Sequence, residues 1–281
     1  ALWQLGRLEE AYSELCRAKI MEPANPLVLS NLGLVCQQAG RDEEALEAYR
    51  QACALEPTPS VLSNMGMLWK AREDLPAAIR CFQKAAGLEP AAAYLHRNLA
   101  GAYRVAGRLD EAASSCDRAL ELEPADPASL VERGYVLAAL EDFAGAEAVF
   151  RQAAGLGAGG QAHAGLGEVL RLSGRRGPAL DALETALELS PGNGDAFTQF
   201  GLCLLDGGER DAAISTFEEG LRRCPGSPGL RFQLGLAWLG RGNAGKAAEL
   251  LGALATERPA VASYRLQYGH SLLQQGDKEG A

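Results

Sequence analysis

Apolar residues recur at intervals of three and four along the chain, as in Leu46, Tyr49 and Cys53. This spacing places them on one face of an α-helix. No stretch alternates with a period of two, so the pattern predicts helices and no strands. Glycine followed by a charged residue interrupts the pattern regularly, as at Gly40-Arg41 and Gly107-Arg108, and predicts turns between consecutive helices.

The pattern of helices and turns repeats every 33 or 34 residues. Each unit has a glycine, an alanine twelve residues later and a proline after twelve more, as in Gly33, Ala45 and Pro57. Small residues that face each other let two helices pack closely, and proline cannot continue a helix. The columns therefore predict a tandem array of helix pairs. The glycine column reads Gly33, Gly66, Gly134, Gly167, Gly201, Gly235 and Gly269, with Ala100 in the remaining slot.

The three columns and their period resemble the tetratricopeptide repeat family over essentially the whole chain. The resemblance implies an all-α fold, an α-solenoid of antiparallel helix pairs that forms a right-handed superhelix, with the first helix of each pair on the concave face. We expect one array, with a partial repeat at 1–25, seven complete repeats over 26–260 and a partial repeat at 261–281. Both ends fall within a repeat and neither resembles a polar cap, so we expect a segment of a longer protein.

The composition and charge of the chain argue against several classes of function. The net charge is −9 and the pI is near 5.0, whereas nucleic-acid-binding surfaces are normally basic. An RNA-binding pentatricopeptide array is also disfavoured, since such arrays run at 35 residues and are usually basic. The sequence contains no run of 18 apolar residues, the length that would predict a membrane span. The seven cysteines form no C-x-x-C pair and there is no N-x-[ST] sequon, which favours reduced thiols and the cytoplasm, although a signal could precede Ala1.

Nothing in the sequence predicts catalysis, a cofactor or a metal site. The glycine run over 155–160 matches G-x-G-x-x-G, but a dinucleotide site needs a strand before it, and here a helical repeat precedes it. His96, His163 and His270 have no neighbouring serine or cysteine that suggests a nucleophile and its base.

A column of amides lies two residues before the glycine column, at Asn31, Asn64 and Asn98. The column continues with Glu132 and Gly165, then with Gln199, Gln233 and Gln267. Side-chain amides both donate and accept, so they can pair with the backbone of an extended peptide. This column is similar to the asparagine ladder of O-linked N-acetylglucosamine transferase, which implies a grip on peptide main chain. The alternative is plain family consensus, since asparagine is common in this column.

Four basic residues are expected on the same concave face: Lys70, Arg97, Arg104 and Arg171. Arginine binds carboxylates bidentately, so they suit a carboxylate or an acidic peptide, and Gly101 would leave room for a ligand. The alternative is salt bridges to acids of neighbouring repeats. The co-chaperone members of the family bind their ligand with a clamp of lysine and asparagine residues. This sequence does not match the clamp, because Arg97 stands in place of a lysine and Gly101 in place of an asparagine.

Toward the C-terminus the same face turns apolar, which suits an amphipathic helix or hydrophobic segment of a partner. The residues of this apolar face are Leu202, Leu205, Phe232, Leu236, Leu239, Leu266 and Leu273.

The repeat over 128–158 is irregular, because it lacks the proline and ends in the glycine run. Glycine loses the most conformational freedom on folding, so we expect a soft joint near 155–160.

The main hypothesis is a non-enzymatic scaffold that binds an extended peptide or helical segment of a partner protein. The second is a substrate-recruiting arm of a larger enzyme, such as a glycosyltransferase. Uncapped ends would also allow self-association.

Overall fold

The computed structural model describes residues 7–259 and 261–276, and these form α-helices joined by short turns, without a strand. The all-α prediction is thereby confirmed. The parts of the predicted partial repeats at 1–6 and 277–281, Ala281 of the alanine column included, lie outside the described residues. The helices are α1 Leu8–Met21, α2 Pro26–Gln38, α3 Asp42–Leu55, α4 Pro59–Ala71, α5 Leu75–Leu88, α6 Ala93–Val105, α7 Leu109–Leu122, α8 Pro127–Ala139, α9 Phe143–Ala153, α10 Gly159–Leu172, α11 Arg176–Leu189, α12 Gly194–Asp206, α13 Arg210–Arg223, α14 Pro228–Gly240, α15 Ala244–Glu257 and α16 Ala262–Gln275.

The helices fall into two compact units, α1–α8 and α9–α16, divided between Ala139 and Leu140. In the first unit α2 packs on α3, α4 on α5 and α6 on α7. In the second unit α10 packs on α11, α12 on α13 and α14 on α15. Each pair is joined by a tight turn, so its helices are antiparallel. Each unit is therefore a stack of helix pairs, as the repeat pattern predicts.

Local chemistry sets where the helices begin and end. Asn25, Thr58 and Ser227 each accept hydrogen bonds from backbone N–H groups of the first helical turn, and a proline follows each of them. The turns within the pairs need one residue with positive φ, which glycine usually supplies. Glu73, in the turn between α4 and α5, has φ of 65°, and Glu141, just before α9, has φ of 62°, a conformation that costs an ordinary residue free energy.

Within each unit, consecutive first helices touch. In the first unit α4 contacts α2 and α6, and α6 contacts α8; in the second α12 contacts α10 and α14. No comparable contact joins the second helices α3, α5 and α7, or α11, α13 and α15, of the described residues. The first helices therefore line the inner side of each stack, while the outer side has gaps between second helices.

The glycine column has a different neighbour from the one that we predicted. The alanines of the repeat are buried, but the nearest atoms to the glycine belong to a large side chain four residues beyond the alanine, an aromatic ring in some repeats and a leucine in others. A Cβ atom built on Gly66 would lie 2.7 Å from Phe82, and one on Gly201 would lie 2.2 Å from Phe217. The glycine thus makes room for a large buried side chain rather than for another small residue.

The irregular repeat has irregular backbone where the sequence indicated it. A π-helical turn, Ala154–Ala158, joins α9 to α10 inside the second unit, and Gly157 within it has φ of 100°. The softness of this joint stays a prediction. A helix precedes the glycine run, so the strand of a dinucleotide motif is missing there.

The cysteines are free thiols, and several are inside the helix stacks. Burial raises the pKa of Cys36 to about 11 and that of Cys116 to about 12. Among the described residues no cluster of His, Cys, Asp and Glu could hold a metal ion. None of the described helices has the length and apolar character needed to cross a membrane.

Candidate functional site

The asparagine column of the first unit makes contacts inside the protein. The Asn98 amide donates a hydrogen bond to the buried Ser63 hydroxyl, 3.1 Å away, which links α6 to α4. The buried Tyr49 hydroxyl donates a 3.0 Å hydrogen bond to Gln37, and Asn64 lies beside this hydroxyl. Asn31 is half-buried at the same position of α2. Asn98 therefore connects two helices, Asn64 faces a buried hydroxyl, and each amide still has bonding capacity left for a ligand.

In the second unit the amide column is also partly engaged. Gln199 accepts a hydrogen bond of 3.2 Å from Nε of Arg171. Gln233 and Gln267 are half-buried on α14 and α16. The Arg171 guanidinium also forms a 3.0 Å ion pair with Asp206.

Arg97 joins α6 to the start of α8. Its guanidinium lies 2.8 Å from Oδ2 of Asp126. The same oxygen accepts hydrogen bonds from the backbone N–H (2.9 Å) and hydroxyl (2.5 Å) of Ser129, so Asp126 caps α8. Burial pushes the pKa of Asp126 upward, but the hydrogen bonds from Ser129 and Arg97 outweigh it and hold the pKa below its usual value.

Arg104, Lys70 and Glu132 form a charged cluster on the inner side of the first unit. Nε of Arg104 donates to Glu132 at 2.6 Å, and the guanidinium lies 5.2 Å from the centre of the Tyr135 ring. Burial lowers the pKa of Lys70, and the nearby Glu132 carboxylate opposes this shift. A Cβ on Gly101 would lie 3.0 Å from Nζ of Lys70 and 3.4 Å from Oε2 of Glu132. These groups fill the space at Gly101 that we expected to be open to a ligand, because the acid of the next repeat reaches over the glycine.

All three predicted arginines therefore pair with acids of a neighbouring repeat, which is the alternative that the sequence left open. An acidic ligand would have to displace Asp126, Glu132 or Asp206 from its arginine. The side chains lie in two units, Arg171 in the second and the other predicted cations in the first.

The apolar face of the second unit lies on α12, α14 and α16, the first helices that contact one another. None of its seven residues is buried, whereas their neighbours Leu204, Leu234 and Leu272 are. Leu266 and Leu273 are 57% and 55% exposed. The ring centres of Phe232 and Tyr264 lie 5.1 Å apart, which adds an aromatic pair between α14 and α16. The residues of this apolar face are Leu202, Leu205, Phe232, Leu236, Leu239, Leu266 and Leu273.

The sequence did not reveal two cavities on the outer side of the first unit. One, of about 410 Å³, lies over α4 between α3 and α5 and includes Trp69, Arg80 and Lys84. The other, of about 630 Å³, lies over α2 between α1 and α3 and includes Tyr12 and Glu44. The one sequence signal for the first is the pair of cations one turn apart on α5.

Comparisons with known proteins agree on the repeat. Tetratricopeptide repeat models match residues 26–59, 68–129, 131–194 and 173–228, which together are more than half of the chain. No characterised protein matches the chain significantly in sequence.

Solved structures share the fold at low identity. Yeast Tom70 superposes with a TM-score of 0.74 at 15% identity, over 98% of this chain and 60% of that one. A tetratricopeptide repeat protein from Parabacteroides merdae gives 0.67 at 15% identity, over 94% and 99%. Cut9 of the APC/C hetero-tetramer Cut9-Hcn1 gives 0.64 at 16% identity, over 96% and 54%. This chain thus spans little more than half the length of Tom70 or Cut9.

Proposed function

Because the chain belongs to the tetratricopeptide repeat family, we propose that it is a non-enzymatic scaffold that binds a segment of a partner protein on the inner side of its helix stacks. The observation that carries the proposal is the apolar face of the second unit. Seven apolar side chains share the inner side of α12, α14 and α16, and the most exposed of them, Leu266 and Leu273, leave more than half of their surface in water.

An amphipathic helix suits this face. Leu266 and Leu273 lie seven residues apart, two turns along one side of α16, and Phe232 and Leu239 have the same spacing on α14. Parallel apolar rows on adjacent helices form a shallow groove, into which the apolar side of a third helix can pack. Burial of apolar surface would contribute most of the binding free energy.

The polar inner side of the first unit suits an extended peptide. Asn31, Asn64 and Asn98 can offer their remaining donors and acceptors to peptide main chain. The three cations Lys70, Arg97 and Arg104 outnumber their partners Glu132 and Asp126 by one, so this inner side keeps one positive charge in excess of these pairs. This excess favours an acidic peptide that exchanges places with Glu132 or Asp126.

The test is selection of binders from a displayed library of random 15-residue peptides, followed by titration calorimetry of the selected peptides. We expect peptides with an apolar helical face, and a loss of affinity of about tenfold or more for Leu266→Gln/Leu273→Gln, since two exposed leucines contribute to the interface. The control is Leu55→Gln/Leu88→Gln. These leucines are both 48% exposed and lie on the second helices α3 and α5.

Three outcomes decide the proposal. Loss of binding only with the α16 variant supports the apolar face. Loss only with Asn64→Ala/Asn98→Ala or Arg97→Ala/Arg104→Ala moves the site to the first unit and supports an extended or acidic peptide. Affinity that none of these variants changes, or a selection without binders, contradicts binding on the inner side.

A further inference from the structure

We propose that the outer side of the first unit holds a second binding site, which takes a small organic anion with an apolar tail. The site is the outer cavity of about 410 Å³ between α3 and α5, a size in the range of small-molecule pockets. Its floor consists of Leu62, Met65 and Trp69 of α4, and its rim carries Arg50 of α3 and Arg80 and Lys84 of α5.

The cavity follows from how the stack is built. The second helices α3 and α5 do not pack on each other, so the part of α4 that lies between them stays uncovered. Leu62, Met65 and Trp69 recur at intervals of three and four and therefore form one apolar row along this part of α4. An alkyl or aromatic group placed along the row would leave water on contact with the indole and the thioether.

The rim is positive although the protein is acidic. None of the residues that line the outer cavity is Asp or Glu. Arg80 and Lys84 are exposed, and neither forms a salt bridge or hydrogen bond with a residue that the structure describes. Arg50 lies 3.8 Å from Glu47, and both side chains are more than half exposed, so this pair is weak. A carboxylate at the rim would find three cations with little internal competition.

The neighbouring cavity has the opposite charge. It lies one repeat earlier, and its lining includes Glu43, Glu44 and Glu47 with Lys19 as the one cation. Glu44 accepts a hydrogen bond of 2.7 Å from the Tyr12 hydroxyl. The same tail with a cationic head should prefer that cavity, which gives the chain an internal comparison for head-group selectivity.

Trp69 reports occupancy of the site. The guanidinium carbons of Arg50 and Arg72 lie 5.6 Å and 5.7 Å from the centre of its ring. The indole is half-buried at the base of the outer cavity, so an apolar tail that covers it would shift its fluorescence to shorter wavelength. The chain has three tryptophans, and Trp3→Phe/Trp238→Phe leaves Trp69 as the sole emitter.

The experiment titrates decanoate, below the concentration at which it forms micelles, into the full chain carrying Trp3→Phe/Trp238→Phe. We expect a saturable blue shift with a stoichiometry of one by calorimetry. Arg80→Gln/Lys84→Gln should weaken binding about tenfold or more, because the carboxylate loses two charged partners. Arg222→Gln/Arg223→Gln, two exposed arginines on α13, removes the same charge away from the cavity and should change nothing.

Head-group controls separate recognition from simple partition. Decylamine has the same tail and should leave the Trp69 emission unchanged, as should acetate, which lacks the tail. Decanoate should also slow alkylation of Cys81, a half-buried thiol of the same lining, and this readout does not depend on any substitution. An equal Trp69 shift with decylamine, a shift that does not saturate, or an affinity that Arg80→Gln/Lys84→Gln leaves intact would each overturn the proposal. The peptide-binding variants change none of the residues that line the outer cavity, so either proposal can fail alone.

Discussion

Gly33 lies beneath the ring of Tyr49: a Cβ atom added to this glycine would be 2.6 Å from Cδ1 of the ring. The two positions are 16 residues apart, and the same separation joins Gly66 to Phe82. In the next repeat the corresponding residues are Ala100 and Cys116, which share one buried cluster. Where the column carries a methyl group, its partner is a small side chain that leaves room for it.

Substitution in the glycine column should therefore destabilise the protein by overpacking. In Gly201→Ala the new Cβ would lie 2.2 Å from the fully buried Phe217, so we expect the free energy of unfolding to fall by about 1–3 kcal/mol. The control is Gly87→Ala on α5, where no atom lies within 4 Å of the added Cβ. It should gain about 0.5–1 kcal/mol.

Urea unfolding followed by circular dichroism measures both variants. A Gly201→Ala protein as stable as the wild type would show that the Phe217 ring can move aside at no cost, and that the glycine is not required by packing.

The fold could be predicted from the sequence because each column reports a local requirement. Proline at position 57 ends a helix, glycine at position 40 takes a positive φ, and the apolar period assigns the buried face. These requirements depend on a single helix or turn. The bounds of the helices in the structure agree closely with these local requirements.

The candidate site could be predicted only in outline. Which residues lie on first helices follows from the repeat, but the partners of the arginines depend on how neighbouring repeats rotate against each other. Arg104 meets an acid 28 residues later and Arg97 one 29 residues later. The sequence did contain one signal for these ion pairs: Glu132 interrupts the amide column, and it is the residue that pairs with Arg104. The outer cavities themselves could not be predicted, since they arise from space between α1, α3 and α5, and the cations Arg80 and Lys84 indicate only the charge of one rim.

Asp126 should contribute to stability in two separable ways. Asp126→Asn keeps a side chain that can cap α8 but removes the charge opposite Arg97. Asp126→Ala removes both and should cost about 1 kcal/mol more, the typical value of a cap. Equal losses for the two variants in urea unfolding would show that the cap contributes nothing.

The loss of stability in acid should reveal how much the charge of Asp126 contributes to the free energy of unfolding. Its pKa is lower in the folded protein, so its stabilising contribution is present above the unfolded pKa of about 4 and disappears as the pH falls through the folded value. Asp126→Asn should therefore lose less stability than the wild type between about pH 5 and pH 2, roughly the span over which carboxylates titrate. An identical pH dependence would contradict the assignment.

The buried thiols should resist alkylation while the stack is folded. Thiolate is the reactive form, and burial raises the pKa of Cys116 to about 12, so little thiolate is present at about pH 8. We expect N-ethylmaleimide to modify the half-buried Cys16 and Cys224 before the other thiols, and Cys116 only on unfolding in urea. Peptide mass spectrometry after timed quenching gives each rate. Equal rates in the native protein would mean that the first unit opens readily around α7.

The π-helical turn between α9 and α10 should be the weakest part of the second unit, apart from its ends. The residues of this turn make few contacts: Gly155 and Gly157 have no atom within 4 Å of an added Cβ. Because Gly157 has φ of 100°, Gly157→Ala should cost about 1–3 kcal/mol. Gly155→Ala, at a position without positive φ, should instead gain about 0.4–1 kcal/mol by restricting the unfolded chain.

Hydrogen exchange tests the same segment without a substitution. Amides over 154–160 should exchange faster than those in the middle of α10 and α12, because local opening there breaks few buried contacts. Gly155→Ala should slow this exchange and Gly157→Ala should accelerate it, while α12 stays unchanged in both. Uniform protection from α9 through α12 would show that the glycine run is as rigid as the regular repeats, and that the missing proline has no dynamic consequence.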